Sequence, residues 1–252
     1  MMETERKKAA TEIVVAIDHG LSFPETVGLE RPIDLLRELV SLPEVDGLIA
    51  TAGMYRQAER NGIDLERLNR LITVDCVLAD DHGGLAQRQT VISPEDAAVF
   101  RPDGYKMFLN VYEDHQELMA NIQDLSRFIT AGRKLGVATL AEIMFFVNER
   151  FKDPATQAKE LYRGCRIAME LGADILKGPL IADLDALGEI IEKVKLPTYI
   201  MGGSASPVPE ELVRAVAPLK NLPIRGLMFG RNLWQYSDMA QRAHLLAPCL
   251  ND

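Results

Sequence analysis

The chain has 252 residues, 47% hydrophobic and 26% charged, which is the length and composition of a globular protein able to bury a sizeable core. A formal net charge of -9 argues against a nucleic-acid surface, although a local basic pocket for an anion remains compatible with it. No apolar run is long enough to cross a bilayer, and the N-terminal MMETERKKAATE lacks the apolar core of a signal peptide. Cys76, Cys165 and Cys249 lie far apart without CxxC spacing, so the expectation is a soluble cytoplasmic protein with reduced thiols.

The first predicted strand runs from Glu12 to Ile17 and leads into Asp18-His19-Gly20. Alternation turns Val15 and Ile17 toward outer helices and leaves Val14, Ala16 and Asp18 facing inward. A carboxylate at this end of an apolar strand is a candidate site residue, with turn capping beside Gly20 as its plainer role. His19, next along, is expected to point to the opposite side of the chain and to hold its loop by hydrogen bonding. Pro32 starts a helix to about Leu42; a second strand covers Gly47 to Thr51, and Gly53 opens a helix that ends before Gly62.

The third strand is Leu71 to Asp75. The stretch from Cys76 to Ser93, with a second Asp-His-Gly at Asp81-His82-Gly83, is long for a connection and reads as a functional lid. Ser93-Pro94-Glu95-Asp96 is a helix start. The fourth strand, Gly104 to Asn110, carries Lys106, and a long amphipathic helix spans Asp114 to Leu135. The fifth strand, Ala138 to Met144, carries Glu142, and Pro154 opens a helix to Leu171.

The segment GADILKGPL, from Gly172 to Leu180, is a sixth strand with Lys177 near its carboxyl end. Ile175 and Lys177 share one face of its pleat, Asp174 and Leu176 the other. An ammonium among apolar residues either reaches solvent or loses its proton, and the neutral amine is a nucleophile toward carbonyls. On this strand alone, a lysine reaching solvent is the plainer reading. Asp183 caps a helix to Val194. The seventh strand, Thr198 to Met201, ends in Gly202-Gly203-Ser204-Ala205-Ser206, and Pro209 starts the next helix. The eighth, Gly226 to Phe229, ends in Gly230-Arg231-Asn232, and a last helix runs to about Leu246.

Eight strand–helix units without a linker predict a single (β/α)8 TIM barrel, one domain over residues 1–252. An open doubly wound sheet binding a dinucleotide would need an early GxGxxG turn, and the chain has none. In the barrel, Asp18, Glu142, Lys177 and both glycine turns would meet at the carboxyl face. Phosphate is often held there by the loops after strands seven and eight. Backbone N–H groups at the glycines, helix N-termini behind both loops and the Arg231 fork would suit it.

These residues resemble those of the class I aldolases of the DeoC/LacD type, in particular the archaeal-type (DhnA-like) fructose-bisphosphate aldolases. AIDHGLS, GADILKGPL, YIMGGSA and MFGRNLWQ carry the resemblance, which spans most of the chain, while GYKMFLNVYEDHQE looks like the tagatose-bisphosphate aldolase branch. The resemblance implies that Lys177 forms a Schiff base, that Asp18 handles protons, and that Gly202, Gly203, Ser204, Gly230 and Arg231 bind substrate phosphate. It implies an aldehyde-lyase acting on a phosphorylated ketose of the fructose-bisphosphate kind, without metal or cofactor, in a homo-oligomer. No nucleic-acid or membrane partner is expected.

One departure stands out. The family usually has a tyrosine near the end of strand five as general acid/base, where AEIMFFVNER has Met144 and Phe145, neither of which carries a proton. Glu142 and Tyr112 are the candidate substitutes. Lys106 is placed either to keep Lys177 deprotonated by charge repulsion or to form a structural salt bridge. Three further readings stay open at this point. They are a metal site built on His19, Asp80, Asp81 and His82, a non-catalytic phosphosugar-binding barrel, and acyl or ketol transfer on the same lysine. Trp234 and Tyr236 read as packing residues.

Overall fold

The computed structural model describes residues 11–23, 26–79, 85–111, 114–145, 153–203 and 206–251. The N-terminal segment, Asp80, Asp81-His82-Gly83, Tyr112 and Ser204 lie outside the described residues. In chain order the elements are β1 (Glu12–Ala16), α1 (Pro32–Ser41), β2 (Gly47–Thr51), α2 (Ala52–Arg60), β3 (Asn69–Thr73), β4 (Asp75–Ala79), β5 (Leu85–Thr90) and α3 (Pro94–Ala98). They continue with β6 (Gly104–Asn110), α4 (His115–Leu135), β7 (Ala138–Met144), α5 (Pro154–Leu171), β8 (Ile175–Pro179), α6 (Leu184–Val194), β9 (Thr198–Met201), α7 (Pro209–Val216), β10 (Gly226–Phe229), α8 (Arg231–Trp234) and α9 (Met239–Asn251).

Eight of these strands close into a parallel barrel in the order β1-β10-β9-β8-β7-β6-β3-β2. The expected (β/α)8 fold is therefore observed. Side-chain alternation produces it, because each strand turns one face to the barrel axis and the other to the helices. Val14, Ala16, Ile49, Leu71, Leu140, Tyr199 and Met228 pack inside as an apolar floor. Ile13, Val15, Ile72, Leu176 and Leu227 belong to the larger core between strands and helices. Local chemistry sets the helix ends. The Asp114 carboxylate accepts from the N–H groups of Gln116 and Glu117 at the start of α4, and Gly136 at its end takes the left-handed conformation, with φ +72°.

Two stretches hold structure that the sequence reading did not give. The stretch expected to be a lid opens with a β-hairpin, β4 antiparallel to β5. Neither strand alternates cleanly, and the hairpin's pairing depends on a distant residue. Arg88 on β5 is buried and donates to Asp75 Oδ2 (3.0 Å) on β4 and to Asp124 Oδ2 (2.6 Å) on α4. The final helix, expected to be continuous, is broken into α8 and α9.

Gly132 on α4 allows a close approach to β7. A Cβ there would stand 2.5 Å from the carbonyl oxygen of Val137 and 3.2 Å from Thr139 Oγ1. At Gly188 on α6 the nearest atom would be the mobile end of Leu222, at 3.2 Å. Alanine favours a helix over glycine by about 1 kcal/mol, but overpacking against backbone costs about 1–3 kcal/mol. Gly132→Ala should therefore lower the urea midpoint while Gly188→Ala leaves it unchanged or raises it. Equal effects at the two sites would contradict this packing.

Candidate active site

A cavity of about 360 Å³ opens at the carboxyl ends of the barrel strands. Asp18, Lys106, Glu142 and Lys177 all line it, together with both glycine turns and Arg231. The first four come from the end of β1 and from β6, β7 and β8. The register pairs Glu142 directly with Lys177 on neighbouring strands.

Their charges alternate in a line. Asp18 Oδ2 lies 3.3 Å from Lys106 Nζ, which lies 2.9 Å from Glu142 Oε2, and Glu142 Oε1 lies 2.8 Å from Lys177 Nζ. Lys106 is 1% exposed and its ammonium also sits 3.2 Å from the centroid of the Phe108 ring. Burial opposes the charge on Lys106, but Glu142 and Asp18 outweigh it and hold its pKa above the ordinary lysine range. Burial likewise pushes the Asp18 carboxyl up. Lys106 above all, with a 2.7 Å hydrogen bond from the Thr73 hydroxyl, outweighs that and holds it below the usual carboxylate range. Glu142 is also held low against its burial, first by Lys106 and then by Lys177.

Of the two readings of Lys106, the structure favours the salt bridge. It touches two carboxylates, so its charge is neutralised locally rather than aimed at Lys177 alone.

His19 departs from expectation. It does not point away from the site but lines the same cavity, and its Nδ1 is buried without a hydrogen-bond partner, 3.7 Å from Asp18 Oδ1. Aromatic packing holds it instead, edge-on to Trp234 with ring centroids 5.2 Å apart. Burial lowers its pKa to about 4, so the ring is neutral near pH 7. Trp234 is the packing residue expected, and its indole N–H donates to the carbonyl of Ala16 at 2.8 Å.

The two glycine turns are tied together. The Asn232 amide donates to the carbonyl of Gly202 (2.6 Å) and accepts from the N–H of Ser206 (2.8 Å). Arg242, 1% exposed, donates to the carbonyls of Ser206 (2.9 Å) and Pro207 (2.8 Å). A Cβ on Gly202 would stand 2.8 Å from the Phe229 ring, which leaves no room for a side chain there. The helix behind the β9 turn contributes less than expected. α7 starts only at Pro209, and Glu210 and Glu211 occupy its first turn, while Arg231 lines the cavity after β10 with its guanidinium 5.9 Å from the centroid of the Phe23 ring.

Met144 and Phe145 both line the cavity, and no described lining residue is a tyrosine. Thr73, Phe108 and Arg242 were not singled out from the sequence, and Asn232 was named there only as part of the turn after the eighth strand. Thr73 and Phe108 follow the inward alternation of Leu71 and Lys106, which was a usable signal. Arg242 reads as an ordinary helix-surface residue and offered none. Of the residues weighed as metal ligands, Asp80, Asp81 and His82 are outside the described residues. Among those described, no group of three or more His, Cys, Asp or Glu side chains could hold a metal ion.

Opposed charges at the strand ends of a barrel, around a lysine in an open cavity, define a lysine-centred (β/α)8 site. The chain belongs to the DeoC/LacD aldolase family, since a family model described as DeoC/LacD family aldolase matches residues 95–236. It is 24% identical over 248 residues to an uncharacterized aldolase of Saccharolobus solfataricus, covering 95% of this chain and 89% of that protein. It is 26% identical over 229 residues to the 3-hydroxy-5-phosphonooxypentane-2,4-dione thiolase of Shigella flexneri, covering 90% of this chain and 83% of that protein. Among solved structures it is similar to an archaeal fructose 1,6-bisphosphate aldolase, with a TM-score of 0.80 and 19% identity over 98% of this chain and 96% of that one. A second archaeal structure, with its catalytic lysine covalently bound to the carbinolamine intermediate, matches with a TM-score of 0.78 and 19% identity, covering 98% of this chain and 97% of that one. The structural likenesses establish the shared fold.

The alternating charges make a stability prediction. Asp18 and Glu142 titrate lower in the folded protein, so their contribution is complete above the ordinary carboxylate range. It is lost as pH falls through the folded values. Lys106 titrates higher, so its contribution is present below the ordinary lysine value and is lost as pH rises through the raised one. Lys106→Met leaves two buried carboxylates without their shared cation and should cost about 3–5 kcal/mol at pH 7. Adding Asp18→Asn should recover part of that loss. Additive costs in denaturant titrations would show that the bridge is not a unit.

Proposed function

We propose that the protein is a Schiff-base-forming (class I) aldolase that breaks or makes a carbon–carbon bond in a phosphorylated ketose, with Lys177 as its nucleophile and neither metal nor cofactor. The observation that carries the reading is the position of Lys177. It stands in the cavity against Glu142, one strand from the Gly202-Gly203 turn, since β8 pairs with β9 through Pro179 and Met201.

The chemistry runs as follows. The Lys177 amine, after giving up a proton, adds to the ketone carbonyl, and loss of water from the carbinolamine leaves an iminium. The electron pair of the bond between the α and β carbons becomes the double bond of an enamine as the iminium π pair moves onto nitrogen. The hydroxyl of the departing half loses its proton and that half leaves as an aldehyde. Protonation of the enamine carbon and hydrolysis then consume one water, release the second product and restore the lysine. Ionised Asp18, bound to Thr73 and Lys106 in the same cavity, is the proton acceptor for the hydroxyl. Ionised Glu142 lies where positive charge develops on the Lys177 nitrogen and stabilises it. Arg231 and the backbone of Gly202, Gly203 and Gly230 hold the phosphate, with Ser204 beside them in the chain.

The relatives support this reading, as two similar structures are described as a Schiff-base-forming aldolase and as one caught at its carbinolamine. The thiolase relatives, with Met144 and Phe145 standing where a tyrosine was expected, favour acyl transfer on the same lysine as the second reading. A purely binding barrel fits less well, because the lysine and both carboxylates all face the cavity. We read residues 1–252 as one domain that works in the cytoplasm as a homo-oligomer. Free Cys76 and Cys165 fit a reducing compartment, and no described helix is long and apolar enough to cross a membrane. The oligomer rests on family likeness.

Borohydride reduction with dihydroxyacetone phosphate should add one reduced adduct by intact mass, and Lys177→Ala should abolish it while leaving the fold intact. An adduct that persists on Lys106 would reassign the nucleophile. Separately, Arg231→Ala should weaken binding of phosphorylated ligands far more than of their dephosphorylated forms. Equal weakening would remove the anion site.

A further inference from the structure

We propose that His19 is a catalytic residue of this site, the group that removes and returns the proton on the carbon next to the one joined to Lys177. This rests on the Schiff-base reading above, in which the enamine carbon must be protonated by a group not yet named.

His19 is the titratable side chain of the cavity that the chemistry has left unused. Among the described residues lining the cavity, the titratable ones are Asp18, His19, Lys106, Glu142, Lys177 and Arg231. Lys177 is the nucleophile, and an arginine does not give up its proton in a protein. Lys106 is held between Asp18 and Glu142, and Glu142 between Lys106 and Lys177. Asp18 uses Oδ2 for the Thr73 hydroxyl and Lys106, and its Oδ1 faces His19 Nδ1 at 3.7 Å. A small rotation of either side chain brings that pair to the roughly 2.7–3.2 Å of a hydrogen bond. An ionised carboxylate facing Nδ1 favours the tautomer protonated there, which leaves the lone pair on Nε2.

The ring is held in place by packing. It is edge-on to Trp234 and stacks on Phe23 with centroids 6.3 Å apart. A Cβ on Gly230 would stand 2.5 Å from His19 Cε1 and 3.1 Å from Nε2, so the imidazole lies against the backbone of the turn assigned to phosphate. His19 therefore sits between that turn and Asp18. In a bound ketose, the carbons between the phosphate and the hydroxyl served by Asp18 include the carbonyl carbon and its reacting neighbour. His19 also follows β1, which stands across the barrel from β7, whose end lacks the expected tyrosine. The missing proton carrier is supplied from the facing wall.

The charges around the ring suit both directions of transfer. Burial holds the ring neutral, Lys177 and Arg231 add to that, and Asp18 and Glu142 oppose it. Beside the cationic iminium the neutral ring is a base. It takes the proton from the adjacent carbon, the C–H pair becomes the carbon–carbon double bond, and the iminium π pair moves onto nitrogen. The enamine nitrogen carries no charge, so one repulsion against the imidazolium is gone when the carbon needs its proton back. In cleavage the enamine arises from carbon–carbon rupture instead. The ring then takes a proton from water and passes it to carbon, while Asp18 returns to water the proton it took from the hydroxyl. The cycle ends with Asp18 ionised and His19 neutral.

The test uses the full chain with dihydroxyacetone phosphate in deuterium oxide. Proton NMR follows exchange of the hydrogens on the carbinol carbon, and borohydride trapping of the same samples reads the adduct by intact mass. Wild-type protein should show both. His19→Gln should keep the adduct, which also reports that it is folded, and slow the exchange by about 10²-fold or more. His19→Ala should be as slow, and added imidazole should restore part of its exchange without speeding the wild type. A ring needed only for packing would not respond to imidazole in this way. Three results would overturn the proposal and leave the Schiff-base reading standing: an adduct without exchange in the wild type, unchanged exchange in His19→Gln, or a His19→Ala protein that forms the adduct but gains nothing from imidazole. Exchange that depends on His19 without any adduct would do the reverse. Neither adduct nor exchange in the wild type would remove both.

Discussion

The site depends on four buried charges that alternate in sign from β1 to β8: Asp18, Lys106, Glu142, Lys177. Alone, any of these groups at this depth would cost several kcal/mol in lost hydration or would give up its charge. In a line, each interior member touches two opposite charges, and the sum is neutral. Glu142 therefore remains an anion in contact with Lys177, although burial by itself would push its proton affinity up. A carboxylate held ionised beside an amine is the arrangement needed where an iminium cation forms. On the proposed chemistry, Lys106 supports the site through its two carboxylate partners without having to touch substrate.

The rest of the fold serves that line. An apolar floor of Val14, Ile49, Leu71 and Met228 closes the barrel beneath it, so the charges interact through little water. Arg88 anchors the β4–β5 hairpin to α4 and orients Asp75, whose Oδ2 also accepts the N–H of Phe108 at 2.9 Å. Phe108 in turn lies under Lys106. On the other side, Asn232 and Arg242 fix the two glycine turns to each other. The charge line and the two glycine turns are therefore held by separate hydrogen-bond networks on neighbouring arcs of the barrel.

The strand–helix rhythm was legible from period alone, and inward alternation put Val14, Ala16, Asp18 and Lys177 on the axis side, where they are found. What escaped was non-local. Nothing near Lys106 announces that it reaches both Asp18 and Glu142, since those partners are 88 and 36 residues away in sequence. The hairpin was missed because Asp75 and Arg88 carry its pairing to α4 through Asp124, which reads as a surface residue of that helix. His19 was misplaced because strand alternation was extended into a stretch where the chain has already turned into a short 3-10 helix, His19–Leu21. The aldolase resemblance pointed to a lysine nucleophile, but that Met144 and Phe145 line the same cavity as Lys177 was visible only in the structure.

The most direct test of this account is the ionisation of Glu142 itself, followed by carbon-13 NMR of side-chain-labelled glutamates through an acid titration, with Glu142→Gln supplying the assignment. The account predicts that Glu142 stays ionised below the ordinary glutamate range in the wild-type protein and that its midpoint moves up when Lys106 is replaced by methionine. A wild-type midpoint at or above that range, or one indifferent to Lys106, would contradict the alternating line of charges on which the site is built.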